Sequence, residues 1–245
     1  MILDLSGRTA VVTGAASGIG LAIADRCAER GMRVLLADLD APGAEREAER
    51  LRGMGADVMA ARVDVTDPDD VECLAATASD AFGAVHLLVN NAGIVRSGRS
   101  WELPLDDWHR VVDVNLWGVV HGIRSFVPGM LAAGEPGHVV ITGSMASVEP
   151  RAGIGSYVAS KHALLGLADV LRAELEGEGS AIGVTLVMPG RVATGMNPEG
   201  KPALGIADLV EQAVRHDLPY AFDDADRRPP VADRFEAILR GFGDR

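Results

Sequence analysis

The sequence predicts an α/β fold: a single doubly wound domain whose seven-stranded, mostly parallel sheet carries helices on both faces. Three observations point there. Short β-branched runs alternate with longer stretches of helical periodicity along the 245 residues. Most strand candidates are apolar throughout, as strands covered on both faces must be. Composition agrees, with 48% apolar residues but only 4% aromatic, so Ala, Val and Leu fill the core, which favours layered helices and strands over a β-sandwich.

In chain order, the strand candidates span residues 9–13, 33–37, 58–63, 87–90, 138–142, 183–187 and 218–222. Helical patterns fit between them at 18–30, 42–53, 68–82, 106–133, 156–176 and 205–216. Strand, crossover helix and next strand repeat with right-handed connections, which fixes the hand of the sheet. A final apolar pattern, Phe235, Ile238 and Leu239, predicts a short helix docking on the body. No linker or repeat interrupts residues 1–245, so one domain is expected. Two less regular stretches, 143–155 and 191–205, follow strands, where an open α/β sheet forms its ligand crevice. Within the second, 195–206 is the expected substrate loop.

Charge narrows the partners. Twenty-three Lys and Arg against 35 Asp and Glu leave a net charge of -12. That excess opposes nucleic acid, whose phosphates require clustered cations, and an anionic membrane surface. The N-terminus lacks a charged segment followed by an apolar one, and no run approaches the roughly 18 to 20 apolar residues of a bilayer span. A cytoplasmic chain is expected. Cys27 and Cys73 fall inside helical patterns and read as buried free thiols. No Cys/His spacing suggests a metal.

The run from Thr9 to Gly20 reads as a strand, a glycine turn and a helix start. Gly14 permits the turn, Gly18 lets backbone amides approach a diphosphate, and Gly20 lets the helix pack closely. The helix N-terminus holds an anion without needing Lys or Arg. The next strand ends at Asp38, eighteen residues beyond Gly20, where a carboxylate accepts bonds from adenosine ribose hydroxyls. It would repel a 2′-phosphate, and neither Ser17 nor Leu39 beside it supplies a cation. The expected cofactor of this Rossmann-type domain is therefore NAD.

Tyr157 and Lys161 stand four residues apart at a helix start, so phenol and ammonium share one face. A free tyrosine ionises near pH 10, and bringing it to neutral pH needs roughly 4 kcal/mol of preferential stabilisation of the phenolate. A neighbouring lysine is a source of it. His162 follows Lys161, but its side chain turns about 100° from that face. The other histidines are scattered. Gly143-Ser144 is not a hydrolase elbow, because that pattern needs glycine where Thr142 stands.

Taken together, these motifs resemble the short-chain dehydrogenase/reductase family along almost the whole chain. The likeness rests on Thr13-Gly-x-x-x-Gly18-x-Gly20, Asp64-Val65, Asn90-Asn-Ala-Gly93, Asn115, Ser144, Tyr157-x-x-x-Lys161 and Pro189-Gly-x-Val-x-Thr194. Ser144 precedes Tyr157 by thirteen residues, and the order of the set makes coincidence improbable. The resemblance implies interconversion of a secondary alcohol and a ketone. Tyr157 would be the general acid/base, Lys161 would lower its pKa and hold the nicotinamide ribose, and Ser144 would bond the reacting oxygen. Asn115 would anchor a water chain from Lys161 to solvent. Ile19 would offer its amide to the diphosphate, while Asp64 and Val65 would flank adenine. Asn91, Ala92 and Gly93 would pass beneath the cofactor, with Val192 and Thr194 fixing its carboxamide and Pro189 and Gly190 also binding the cofactor.

Met145 and Met196, together with Val148 and Met188, are expected to wall a mostly apolar substrate pocket. The chain departs from the family in lacking a glycine-rich strand end near its C-terminus. Leu218–Phe222, then Asp223 to Asp226 and an Arg-Pro-Pro segment, stand there instead. A homodimer built on helices 106–133 and 156–176 is expected, with a homotetramer open. A NAD-binding sensor without turnover competes with the enzyme reading, and the complete Ser144, Asn115, Tyr157, Lys161 set speaks against it. An epimerase or dehydratase using NAD transiently stays open.

Overall fold

The computed structural model describes residues 4–192 and 201–242. Seven strands follow one another as β1 (Thr9–Thr13), β2 (Arg33–Asp38), β3 (Val58–Arg62), β4 (Leu87–Asn90), β5 (Gly137–Thr142), β6 (Ile182–Met188) and β7 (Tyr220–Phe222). Their order in the sheet is β3-β2-β1-β4-β5-β6-β7, and every pairing between them is parallel. The last strand is parallel too because a helix carries the chain back over the sheet before it.

Helices α1 (Gly18–Glu29), α2 (Ala41–Gly53) and α7 (Leu204–His216) cover one face. The other lies under α3 (Pro68–Phe82), α5 (Gly118–Ala133) and α6 (Gly155–Gly177). The continuous apolar strands resolve into two alternating sets. Ala10, Val12, Val34, Leu36, Val140 and Val187 point into the first layer. Val11, Leu35, Val139, Ile141 and Leu186 point into the second. Fully burying each such Val or Leu contributes roughly 1.5–3 kcal/mol, and both faces gain it.

Three expectations need correcting. The helix expected over 106–133 is α4 (Leu105–Val112), a π-helical turn Asp113–Trp117, and then α5. The extra residue of a π-turn rotates the side chains that follow, a feature that helical periodicity does not show. The last helix, α8 (Arg228–Arg240), exists, but Phe235, Ile238 and Leu239 stay 43%, 51% and 64% exposed. Both sheet faces are already covered, so α8 is held at its start instead: Val231 packs on the second layer and Arg234 donates to the Val148 carbonyl. Finally, Cys27 is buried, which pushes its thiol up to about 12, whereas Cys73 is exposed. No described helix is long and apolar enough to cross a membrane.

Candidate active site

The sheet reverses its winding between β1 and β4, and loops beyond the carboxyl ends of the strands open there into a cleft of about 1430 Å³. Its first wall is the glycine turn. Gly14 and Gly18 have φ of 66° and 58°, in the left-handed region that L side chains avoid. A Cβ on Gly14 would stand 2.9 Å from Ala92 Cα, and one on Gly20 would stand 2.1 Å from the Gly14 carbonyl oxygen. Gly20 thus serves the turn from beneath and does not line the cleft.

Ser17 begins α1 without capping it through its side chain, and no acidic residue occupies the first turn. The amides there stay available to an anion. Asp38 accepts from the Ala16 amide through Oδ2 and the Asp40 amide through Oδ1, both at 2.9 Å, so it braces the turn as well as lining the cleft. Leu39 stands beside it, 56% exposed. This uncapped helix start, the glycine cradle and a carboxylate at the end of β2 fit the diphosphate and ribose of a dinucleotide.

The floor is riveted by Asn91. Its amide nitrogen donates to the carbonyls of Thr13 and Gly14 at 3.0 and 3.2 Å, and its Oδ1 accepts from Thr142 Oγ1 at 3.3 Å. The ends of β1, β4 and β5 are thereby tied together. Asp64 accepts from the Thr66 hydroxyl at 2.7 Å, which holds its carboxyl below the usual range, and it lines the cleft with Val65. Gly93 lies so near Asn115 Oδ1 and Lys161 Nζ that a Cβ would stand 3.3 and 3.6 Å from them.

Tyr157, Lys161 and Ser144 converge on the same cleft. Lys161 is 3% exposed; its Nζ donates to the Thr142 carbonyl at 2.7 Å and lies 5.7 Å from the centre of the Tyr157 ring. Burial pulls its ammonium down to about 8. Burial also pushes the Tyr157 phenol up, with the Ser144 hydroxyl pulling the other way. Desolvation is the larger of these two influences on the phenol. A phenol withdrawn from water accounts for the sign.

Asn115 sits on the π-turn and is fully buried. Its Oδ1 accepts from the Ile94 amide at 2.8 Å, while Nδ2 donates to the Ile94 carbonyl at 2.9 Å and to Ser160 Oγ at 3.1 Å. Ser160 is the residue before Lys161, so Asn115 locks the loop after β4 onto α6.

Met145 lines the cleft, as do Ile19, Ala92, Pro189, Gly190 and Val192. Val148 and Met188 do not: they are buried in the second core layer, 4% and 1% exposed, because each turns toward the helices. Thr194 and Met196 lie outside the described residues, as does 195–200 of the expected substrate loop. Sequence reasoning missed Ile94, Val95, Arg96, Glu149, Arg151 and Arg227 on the walls. The first three directly follow Asn90-Asn-Ala-Gly93 and were within reach of that motif; Arg227 arrives from far along the chain.

A doubly wound parallel sheet whose switch-point cleft joins a dinucleotide cradle to a phenol, an ammonium and a hydroxyl defines a class of oxidoreductases. The comparisons agree. The family model described as short chain dehydrogenase matches residues 8–204. A 1-deoxy-11-beta-hydroxypentalenate dehydrogenase of Streptomyces avermitilis is 41% identical over 97% of this chain and 92% of its own length. A namesake from Streptomyces exfoliatus is also 41% identical, over 97% and 90%. Among solved structures, a Burkholderia phymatum short chain dehydrogenase/reductase in complex with NAD superposes with a TM-score of 0.95 at 34% identity, covering 97% of this chain and 96% of that one. The chain belongs to the short-chain dehydrogenase/reductase family and is an oxidoreductase of that family.

Proposed function

We propose that this protein is a NAD-dependent oxidoreductase that interconverts a secondary alcohol and a ketone. The observation that carries the proposal is the convergence of Tyr157, Lys161 and Ser144 on one cleft with the glycine turn. Asp38, at the ribose end, favours NAD over its 2′-phosphorylated form by charge. Bound there, the nicotinamide would accept the hydride in oxidation and return it in reduction.

The protein's own part is protonic and geometric. Ser144 bonds the reacting oxygen and orients it. In oxidation the Tyr157 oxygen takes the hydroxyl proton as the carbinol C–H electrons leave; in reduction it returns that proton to the carbonyl oxygen. Lys161 would favour the phenolate by its charge and hold the nicotinamide ribose, and Asn115 keeps the α6 residue before it and the Ile94 loop in register for relay to solvent. Two cysteines without a disulfide suit a reducing cytoplasm. Trp117 and Val170, about half exposed on the π-turn and α6, suit burial in a homodimer.

The test is a screen for NADH absorbance against aliphatic, cyclic, sterol and sugar secondary alcohols, run beside Tyr157→Phe. Turnover by the wild type should fall by about 10²- to 10⁴-fold in the variant, with cofactor affinity kept. Tight NAD binding with no NADH from any alcohol would overturn the proposal in favour of a sensor.

A further inference from the structure

We infer that the substrate of this cleft carries a carboxylate, held by Arg96 and Arg151 at the end beyond Tyr157. The inference rests on the alcohol oxidoreductase reading above and adds the chemical class of its substrate. It begins from charge. The chain as a whole is at -12, yet this cleft is lined by more cations than carboxylates. The two carboxylates at the dinucleotide end, Asp38 and Asp64, are already engaged with backbone amides and Thr66. At the other end Arg227 is paired with Glu149 and Arg96 with Asp107, while Arg110, Arg151, Arg191 and Lys201 share the lining with Asp224.

Two of these cations are brought together by the fold. The loop after β4 and the loop before α6 form a parallel bridge between Gly98 and Ile154, and the Gly98 amide donates to the Gly153 carbonyl at 2.8 Å. Arg96 lies two residues before one partner and Arg151 three before the other, so both guanidinium groups line the cleft beside the start of the Tyr157 helix. Arg96 is braced, with Nε 3.3 Å from Asp107 and Nη1 donating to the Val95 carbonyl. Arg151 has no ion pair or hydrogen bond among the described residues, and it stands in a cleft mouth where low-dielectric walls focus its field.

The same lining carries an apolar set, Ile94, Val95, Met145, Ala146 and Ile154. A guanidinium fork presents planar paired donors that match a carboxylate. The combined surface fits an alcohol with a hydrocarbon body and a carboxylate remote from the carbinol. A phosphorylated sugar fits it less well, because the apolar stretch offers nothing to its hydroxyls.

The experiment has two arms. In the first, kcat/KM is compared between 3-hydroxycyclohexanecarboxylate and its methyl ester, for wild type, Arg151→Gln and Arg96→Gln. The acid should be preferred by about tenfold at low salt, each substitution should cut that preference severalfold, and the ester rate should hold. In the second, calorimetry measures cyclohexanecarboxylate and cyclohexanecarboxamide binding to the NADH-loaded protein, which needs no turnover. Tighter carboxylate binding that Arg151→Gln abolishes supports the anion site even if no alcohol is oxidised, in which case only the reading beneath it fails. Ester oxidised as well as acid, or carboxylate bound no better than amide, overturns the inference and leaves that reading standing.

Discussion

The two ends of the cleft bind by opposite means. At the β1–α1 end the working parts are backbone: glycines without side chains, uncapped amides, and one carboxylate that braces the turn. At the α6 end they are long side chains, Tyr157 and Lys161, pulled out of water so that the phenol's proton affinity rises and the ammonium's falls. The first end is a shape that tolerates no added atom. The second is an electrostatic arrangement whose shape matters less than the charge it carries. A substitution at the first end should therefore be felt as lost affinity or stability, and one at the second as lost rate.

The largest test of that contrast is Lys161→Ala. It removes the buried cation and the ribose contact expected of it but leaves the glycine cradle whole, so turnover should drop by about 10²- to 10³-fold while NADH affinity, read by fluorescence titration, falls by no more than about tenfold. An affinity loss as large as the rate loss would erase the distinction. Next comes Gly20→Val, whose Cβ would press 2.1 Å from the Gly14 carbonyl oxygen. NADH affinity should weaken by about 10²-fold or the melting temperature fall by several degrees, since overpacking costs about 1–3 kcal/mol or more.

A smaller effect is expected at the opposite, amino end of the strands, where burial acts on a group away from the cleft. His138, at the start of β5, is fully buried. Thr185 Oγ1 donates to the Leu218 carbonyl and so accepts from His138 Nε2 at 2.7 Å, which leaves Nδ1 bare. Burial holds its pKa at about 4, below the ordinary 6.5. Unfolded, the ring is protonated as pH falls through 6.5, while folded it resists until about 4. Stability from this group is thus complete above 6.5 and declines on acidification, by about 2 kcal/mol between pH 6.5 and 5. Melting curves across that range should show the decline, and His138→Gln should flatten it. The smallest effect is at Asp38: Asp38→Ala should narrow the preference for NAD over NADP by about tenfold, measured as a ratio of kcat/KM values.

Much of this was legible in the sequence because it is local. Gly14, Gly18 and Gly20 declare a turn through their missing side chains, and the i, i+4 spacing of Tyr157 and Lys161 declares a shared face. The apolar strands declared their coverage on both sides. What stayed hidden depends on several segments at once. The π-turn that buries Asn115 leaves no mark in helical periodicity, and the exposure of Phe235 and Ile238 follows from a sheet already fully covered.

The amino-acid order alone determined the strand and helix succession, the glycine cradle and the pairing of Tyr157 with Lys161 on one helix face, since each is written within a few consecutive residues. Tertiary structure decided which loops meet across the cleft and which cations end up beside Tyr157. It also decided the direction in which burial moves the Tyr157 and Lys161 protons. Desolvation and charge depend on neighbours distant in sequence, so only the folded arrangement sets them.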